Sequence, residues 1–557
     1  MNSDSALAYK QKAFHLESFA FDEIPHQSKL FIDYQNNSES IKKYYPSKDR
    51  DLVELSQEVL ENYKIDRDRL CDILRGEHLD LSASDATLNN IEKLRESDCV
   101  AVIAGQQAGL FSGSMYTIYK ALSAIKLAAD LNSRGINAVP LFWIASEDHD
   151  FDEANKTFVL DENGNIETIS NVAGKVEDIT PVAFIELGKH IDETIGRFVS
   201  NLRATEFTNE TESLLREFYN SGETYSSAFA KLILKLFGEL GLILVCPMNA
   251  GLRALCSPLF AEAIDGHQEI TSALLERDRQ LADENYHSQV FVDEDFFPFF
   301  YLDENNKRNA LRFDKEHQVI RYFHGDKTFT KEELIDVARN SPEQLSPNVL
   351  MRSVVQDYLF PTICYYGGSA EIAYFAQNEV VYRSLRRPVT HFRHRSSFTI
   401  VDPKSDRNMK RYDLKFGDIF KGKEDILADV IDKFVASETA QTFAEVEELI
   451  NGQLNRLDRE LIKSEPTLSE NLANRRRKIL WHIGTLRNKF HRAETFKNEV
   501  LHNRIEYTLA ALYPRDALQE RTMNIAYFLN LFGPNFIGWL YQAIDLDEKN
   551  HQILVLD

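Results

Sequence analysis

Four ionisable residues stand in a row at Glu147-Asp148-His149-Asp150, two residues beyond the apolar run 138–144. Carboxylates beside an imidazole can hold a divalent metal, or they can take a proton from an attacking amine. Neighbouring residues at a strand end point in alternating directions, so at most two of the four can share one ion. The acids can instead cap the next helix, with His149 a satisfied polar group. Upstream lies Ala101-Val-Ile-Ala-Gly-Gln-Gln-Ala-Gly-Leu-Phe-Ser-Gly-Ser-Met-Tyr116. Gly105, Gly109 and Gly113 let the backbone approach an anion, and the helix that follows aims its positive end there. Gln106 and Gln107 add amides to that cradle. G-x-G-x-x-G and Gly-Lys-Ser/Thr are both absent, so neither the dinucleotide fingerprint nor a P-loop is present. A tight turn of small residues is the alternative.

Asn348, Arg352 and Gln356 lie four apart and share one helix face. An arginine flanked by amides suits carboxylate or phosphate capture, or a buried ion pair with Asp357 or Glu371. Gly367-Gly368 before Glu371 repeats the strand–glycine–helix arrangement. Arg393 and Arg395, with Ser396 and Ser397, form a basic loop that either neutralises a phosphate or faces solvent.

These groups need a scaffold that gathers them. Residues 100–104 and 138–144 read as buried strands, joined by a helix over 116–132 with Ile118, Leu122, Ile125 and Leu127 on its apolar side. One helix between two strands predicts a right-handed parallel crossover. Residues 242–245, 362–366 and 388–392 read as further strands. In an open parallel sheet ligands sit beyond the carboxyl ends of the strands, where the glycines and the acidic run fall. The expected class is α/β, with a Rossmann-like parallel core.

Phe443, Val446, Ile450, Leu454, Leu457 and Leu461 step by three or four, and Ile479, Ile483, Leu486, Phe490, Ala493 and Val500 do the same beyond Ser464-Glu-Pro466. That predicts an antiparallel coiled coil of two helices, roughly 40 residues and about 60 Å each. The expected divisions are an N-terminal helical segment 1–95, core 96–155, insert 156–222, core 223–290, a polar, hairpin-rich insert 291–345, core 346–424, coiled coil 425–510 and a tail 511–557.

A net charge of −23 on 557 residues opposes sequence-independent binding of nucleic acid. Five scattered cysteines with no C-x-x-C fit a reduced compartment and exclude a patterned structural zinc site. Met1-Asn-Ser-Asp-Ser-Ala lacks the basic start and apolar run of a signal peptide, and no apolar run approaches the roughly 20 residues of a membrane span. A cytoplasmic protein without membrane or nucleic-acid partners is expected.

Several motifs are long enough to identify a family. Ala104-Gly-Gln-Gln-Ala-Gly109 with Tyr116-Thr-Ile118 and Lys120, Phe142-Trp-Ile144 with the acidic run, Ser346-Pro-Asn-Val349 with Arg352 and Gln356-Asp-Tyr-Leu-Phe-Pro361, and Gly367-Gly368 with Glu371-Ile-Ala-Tyr374 resemble the BshC family, the cysteine-adding enzyme of bacillithiol biosynthesis. Leu518-Gln-Glu-Arg521 and His551-Gln552 carry the resemblance nearly to the end of the chain. It implies a core akin to class I aminoacyl-tRNA synthetases, two connecting inserts, and a coiled coil that supports a homodimer. The implied reaction joins the carboxylate of cysteine to the amine of glucosaminyl-malate, activated by ATP or another nucleotide and with no metal. Glu147, Asp148, His149 and Asp150 would do the chemistry. Gly105 to Gly113, with Gln106, Gln107, Gly109 and Ser112, would hold substrate or nucleotide, as would Tyr116, Asn348, Arg352, Gln356, Gly367, Gly368, Glu371 and Arg395. The synthetase H-x-G-H signature is replaced by Phe111-Ser-Gly-Ser114, so that position offers only neutral hydrogen bonds to a phosphate. The competing readings are a metal-dependent hydrolase at the acidic run and a dimeric coiled-coil scaffold around a ligand-binding core.

Overall fold

The computed structural model describes residues 14–173, 179–435 and 437–556, so the signal-peptide reading of the first six residues lies outside the described residues. Near-continuous apolar runs form the central sheet, because parallel strands are covered on both faces. Val100–Gln106 lies in the middle and pairs in parallel with Ala138–Ile144, from Val100 opposite Ala138 to Gln106 opposite Ile144. Ile243–Val245 continues the sheet on that side. Thr362–Gly367 pairs with the other side of Val100–Gln106, and His391–His394 forms the far edge. The last strand therefore starts three residues later than the apolar run 388–392 predicts. The crossover helix spans Met115–Ser133 and buries Ile118, Leu122, Ile125 and Leu127.

The hairpin after the acidic run forms strands Lys156–Leu160 and Ile166–Ser170. The hairpins expected around 291–345 form an antiparallel sheet, ordered Thr328–Phe329, Val319–Tyr322, Arg308–Asp314, Phe296–Leu302, Leu345–Pro347. Its Phe296-Phe297-Pro-Phe-Phe300 strand is largely buried. No helix among the described residues is long and apolar enough to cross a membrane.

The chain divides into two compact units. The larger holds residues 1–160, 167–399 and 519–554, with both sheets described above. The smaller holds residues 161–166, 400–518 and 555–557. Within it, Tyr412, Ile426, Leu427, Val430, Leu501 and Ile505 form a buried cluster. Its two long helices are Ser437–Ser464, 28 residues, and Pro466–Lys497, 32 residues. They fold back on each other at Glu465, and Phe443 meets Phe490 with ring centroids 5.9 Å apart. They are shorter than the predicted 40 residues, about 42 and 48 Å long. The apolar stepping runs on past Asn498, but the backbone breaks there and a separate helix, Glu499–Leu512, takes over.

Buried histidines in the larger unit make its stability depend on acid. His78 places Nδ1 2.7 Å from the Leu74 carbonyl, and its Nε2 accepts the Leu244 backbone N–H at 2.9 Å. His391 is held the same way, between the Ser47 carbonyl and Arg393 Nε. A nitrogen that accepts has no room for a second proton, and burial pushes both groups down to about 4. Unfolded histidine titrates near 6.5, so the stability present above that pH is lost as pH falls toward 4. Each such histidine then forfeits about 3 kcal/mol by pH 4. The thermal midpoint should fall most steeply below pH 6; a flat profile from pH 7 to 4.5 would contradict the neutral tautomers.

Candidate active site

The chain leaves the Val100–Gln106 strand toward one side of the sheet and later returns on the other, which opens a crevice beyond its carboxyl end. A cavity of about 540 Å³ occupies that crevice. Gly105, Gln106 and Gln107 line it from the strand end. A Cβ on Gly105 would fall 2.9 Å from the Trp143 carbonyl oxygen, so glycine is what lets the two strands close. Tyr116 and Lys120, one helical turn apart, form a wall. Lys120 Nζ donates to the Gly105 carbonyl at 2.9 Å and to Gln106 Oε1 at 2.7 Å, and it pairs with Glu371. Glu371 also accepts the Gly368 backbone N–H at 2.7 Å and the Tyr365 hydroxyl at 2.8 Å. The start of the Ser369–Ser384 helix is thus capped by the protein's own carboxylate. Burial disfavours charge on Glu371, but Lys120 outweighs it and holds the carboxyl below its ordinary range.

The acidic run splits. Glu147 turns inward, 2.6 Å from Arg253, with both side chains almost fully buried. Asp150 caps the Phe151–Ala154 helix by accepting the Glu153 N–H and is absent from the cavity lining. Glu147 still borders the cavity, and Asp148 and His149 line it. They meet Arg308, whose guanidinium is 3.7 Å from Asp148 and 3.4 Å from His149 Nδ1, and which stacks on Phe300 at 3.8 Å. Burial works against charge on Asp148, yet Arg308 and Arg352 overcome it and keep the carboxyl low. Burial and Arg308 together push His149 down, so the imidazole is neutral. Glu153 moves the other way, raised by burial and by Asp150 and Asp148, which makes its carboxylate the more basic.

Arg352 reaches the cavity from the Val349–Leu359 helix, whose start Asn348 caps. Its side chain approaches the Tyr374 hydroxyl at 3.4 Å, and the alternative reading, an ion pair with Asp357 or Glu371, is not made among the described residues. Arg395 lines the cavity, clamped by the buried carboxylate of Glu520 rather than turned to solvent. Arg393 belongs to the last strand and donates to His391. Six cationic side chains line the cavity, Lys120, Arg308, Arg312, Arg352, Arg395 and Arg521, against four carboxylates, Glu147, Asp148, Glu153 and Glu371. That excess suits an anionic ligand.

Two profiles of one family cover this architecture. "Bacillithiol biosynthesis BshC, N-terminal Rossmann-like domain" matches residues 17–395, and its C-terminal coiled-coil counterpart matches residues 398–556. The chain belongs to the BshC family. A relative from Solibacter usitatus named "Putative cysteine ligase BshC" is 34% identical over 96% of this chain and 98% of its own. BshC relatives of the same name from Koribacter versatilis and Geobacillus thermodenitrificans are 33% and 30% identical, over 94% and 96% of this chain and 96% and 99% of their own.

Several residues predicted to bind in this BshC chain stand elsewhere. Gly109 and Gly113 pack against each other, and a Cβ on Gly109 would fall 2.7 Å from the Gly113 Cα. Ser112 is buried, its N–H donating to the Tyr219 hydroxyl at 3.1 Å. The helix start after them is covered by chain: Met115 N–H donates to the Met523 carbonyl and Ser114 to that of Arg521. The turn is a packing device, and alanine at 109 would strike the fold before any ligand. Gln356 is buried on Asp357, and Gly367 sits behind Gly368, outside the lining. The hydrolase reading finds no support. Among the described residues no group of three or more His, Cys, Asp or Glu side chains could hold a metal ion.

Sequence reasoning gave no site role to Arg253, Glu153, Arg308, Arg312 or Arg521, although Arg521 stands in one of the family motifs. Arg308, Ala310 and Arg312 alternate along one strand and face the cavity together, an R-x-A-x-R pattern that period-2 reading could have flagged.

Proposed function

We propose that this protein is a ligase that joins the carboxyl group of cysteine to the amine of glucosaminyl-malate, as the names of its relatives indicate for them. The carrying observation is the convergence of Asp148, His149, Arg308, Arg352 and the Lys120–Glu371 pair on one cavity at the sheet's switch point. A carboxylate resists amines until one oxygen is made a leaving group, so ATP or another nucleotide is the proposed activator. Arg352 and Arg308 would neutralise anionic substrate groups. Neutral His149 and basic Glu153 are placed to take the proton that the amine sheds as the amide forms.

The experiment supplies the purified protein with cysteine, glucosaminyl-malate and ATP, and follows the cysteinyl amide by mass spectrometry. Product should accumulate in step with nucleotide cleavage, and the gene should restore the thiol to a strain lacking the cysteine-addition step. A folded protein that yields no amide in either setting rejects the reading. We further infer a homodimer and assign a second copy to the long-helix pair, where Leu449, Trp481 and Leu486 are at least 60% exposed. Sedimentation at twice 64.1 kDa is expected.

A further inference from the structure

The motif Leu518-Gln-Glu-Arg521 takes no part in the chemistry above, yet it ends at the cavity. Glu520 is 2% exposed and receives both terminal nitrogens of Arg395, at 2.9 and 2.6 Å. It also accepts the Ser397 hydroxyl at 2.9 Å and the Phe398 backbone N–H at 3.2 Å. That anchor fixes the chain one residue before Arg521. Ser114 adds a second tie, its hydroxyl donating to the Arg521 carbonyl at 2.9 Å. The backbone of Arg521 is therefore held on both sides while its side chain remains exposed at the cavity edge.

The other cations of the cavity are mostly engaged. Glu371 holds Lys120, Asp148 faces Arg308, Asp293 holds Arg312 and Glu520 holds Arg395. Among the described residues, Arg352 and Arg521 have no carboxylate in ion-pair reach. The Arg521 guanidinium donates to the Ser369 hydroxyl at 3.1 Å. A serine hydroxyl satisfies one of five donors and none of the charge.

We propose that Arg521 is a substrate-binding residue that captures an anionic group at the mouth of the cavity, with Glu520 as its positioning residue. The anion is a phosphate of the activating nucleotide or a carboxylate of glucosaminyl-malate, a choice of ligands that rests on the ligase reading. A guanidinium takes either group through two parallel hydrogen bonds, which a lysine ammonium cannot reproduce.

The test measures binding of ATP and of glucosaminyl-malate separately by calorimetry, on the full chain and on Arg521→Gln and Arg521→Lys. Since Arg521 is exposed, both variants should keep the wild-type melting midpoint. One ligand should bind about tenfold more weakly to Arg521→Gln and less weakly to Arg521→Lys, with the other unchanged. Loss for ATP assigns the phosphate; loss for glucosaminyl-malate assigns the carboxylate. Glu520→Gln, measured below its own melting midpoint, should weaken that same ligand alone, whereas a general structural defect would weaken both and remove the positioning role. Affinities of Arg521→Gln within twofold of wild type for both ligands overturn the proposal. Amide formation is assayed on the same preparations. Tenfold-weakened binding without amide product leaves Arg521 in place and sinks the ligase reading, while product with unaltered affinities does the reverse.

Discussion

Replacing Arg352 with glutamine should lower kcat/KM for amide formation by about 100- to 1,000-fold, the usual cost of removing one preorganised donor from a developing charge. The protein should stay folded, because the guanidinium gives up only a 3.4 Å approach to the Tyr374 hydroxyl. No buried carboxylate is left stranded by the change. Arg352 also helps to keep Asp148 ionised. Its loss should therefore shift the acid limb of the pH–rate profile upward as Asp148 becomes easier to protonate. Lysine at 352 restores the charge but not the fork and should recover only part of the rate. A glutamine variant within fivefold of wild type, with the acid limb unmoved, would remove Arg352 from the chemistry.

How much of this site could be read beforehand follows from the range of the interactions that build it. The strand ends carrying Gln106, Asp148 and Gly368 were legible, since apolar runs mark parallel strands and ligands gather beyond their carboxyl ends. Arg352 was legible because a charge inside an apolar helix needs a reason. Arg253 and Arg308 were not. Each meets the acidic run across a separation of more than a hundred residues, 106 from Glu147 and 159 from His149. No local period encodes such a meeting. Without Arg253 in view, Glu147 looked like part of a reactive quartet. The glycine turn misled for a related reason: small residues serve close packing and ligand approach equally well, and only the Gly109–Gly113 approach separates the two. The coiled coil overran because its apolar stepping continues past Asn498 while the backbone does not.

The sharpest consequence of the Arg253 contact concerns Glu147 itself. Removing its partner through Arg253→Met should cost about 3–5 kcal/mol of folding stability, since a carboxylate would be left buried without its counter-charge. The two side chains are only 2% and 4% exposed, so little water reaches them to compensate. The Arg253 guanidinium also donates to the Pro247 carbonyl at 2.6 Å and to the carbonyl of Leu345, tying three chain segments behind the cavity. Glu147→Gln strands the Arg253 guanidinium in turn but should cost less, because the amide oxygen can still accept from Arg253 and the Pro247 and Leu345 carbonyls still take its other donors. Pairing Arg253→Met with Glu147→Leu should recover much of the single-variant loss, as apolar replacement of a buried ion pair commonly does. Denaturant melts of wild type, Arg253→Met, Glu147→Leu and the double variant give the coupling energy directly. If Arg253→Met melts like wild type while turnover collapses, Glu147 belongs with the reacting groups after all, and the pair is part of the chemistry rather than its foundation.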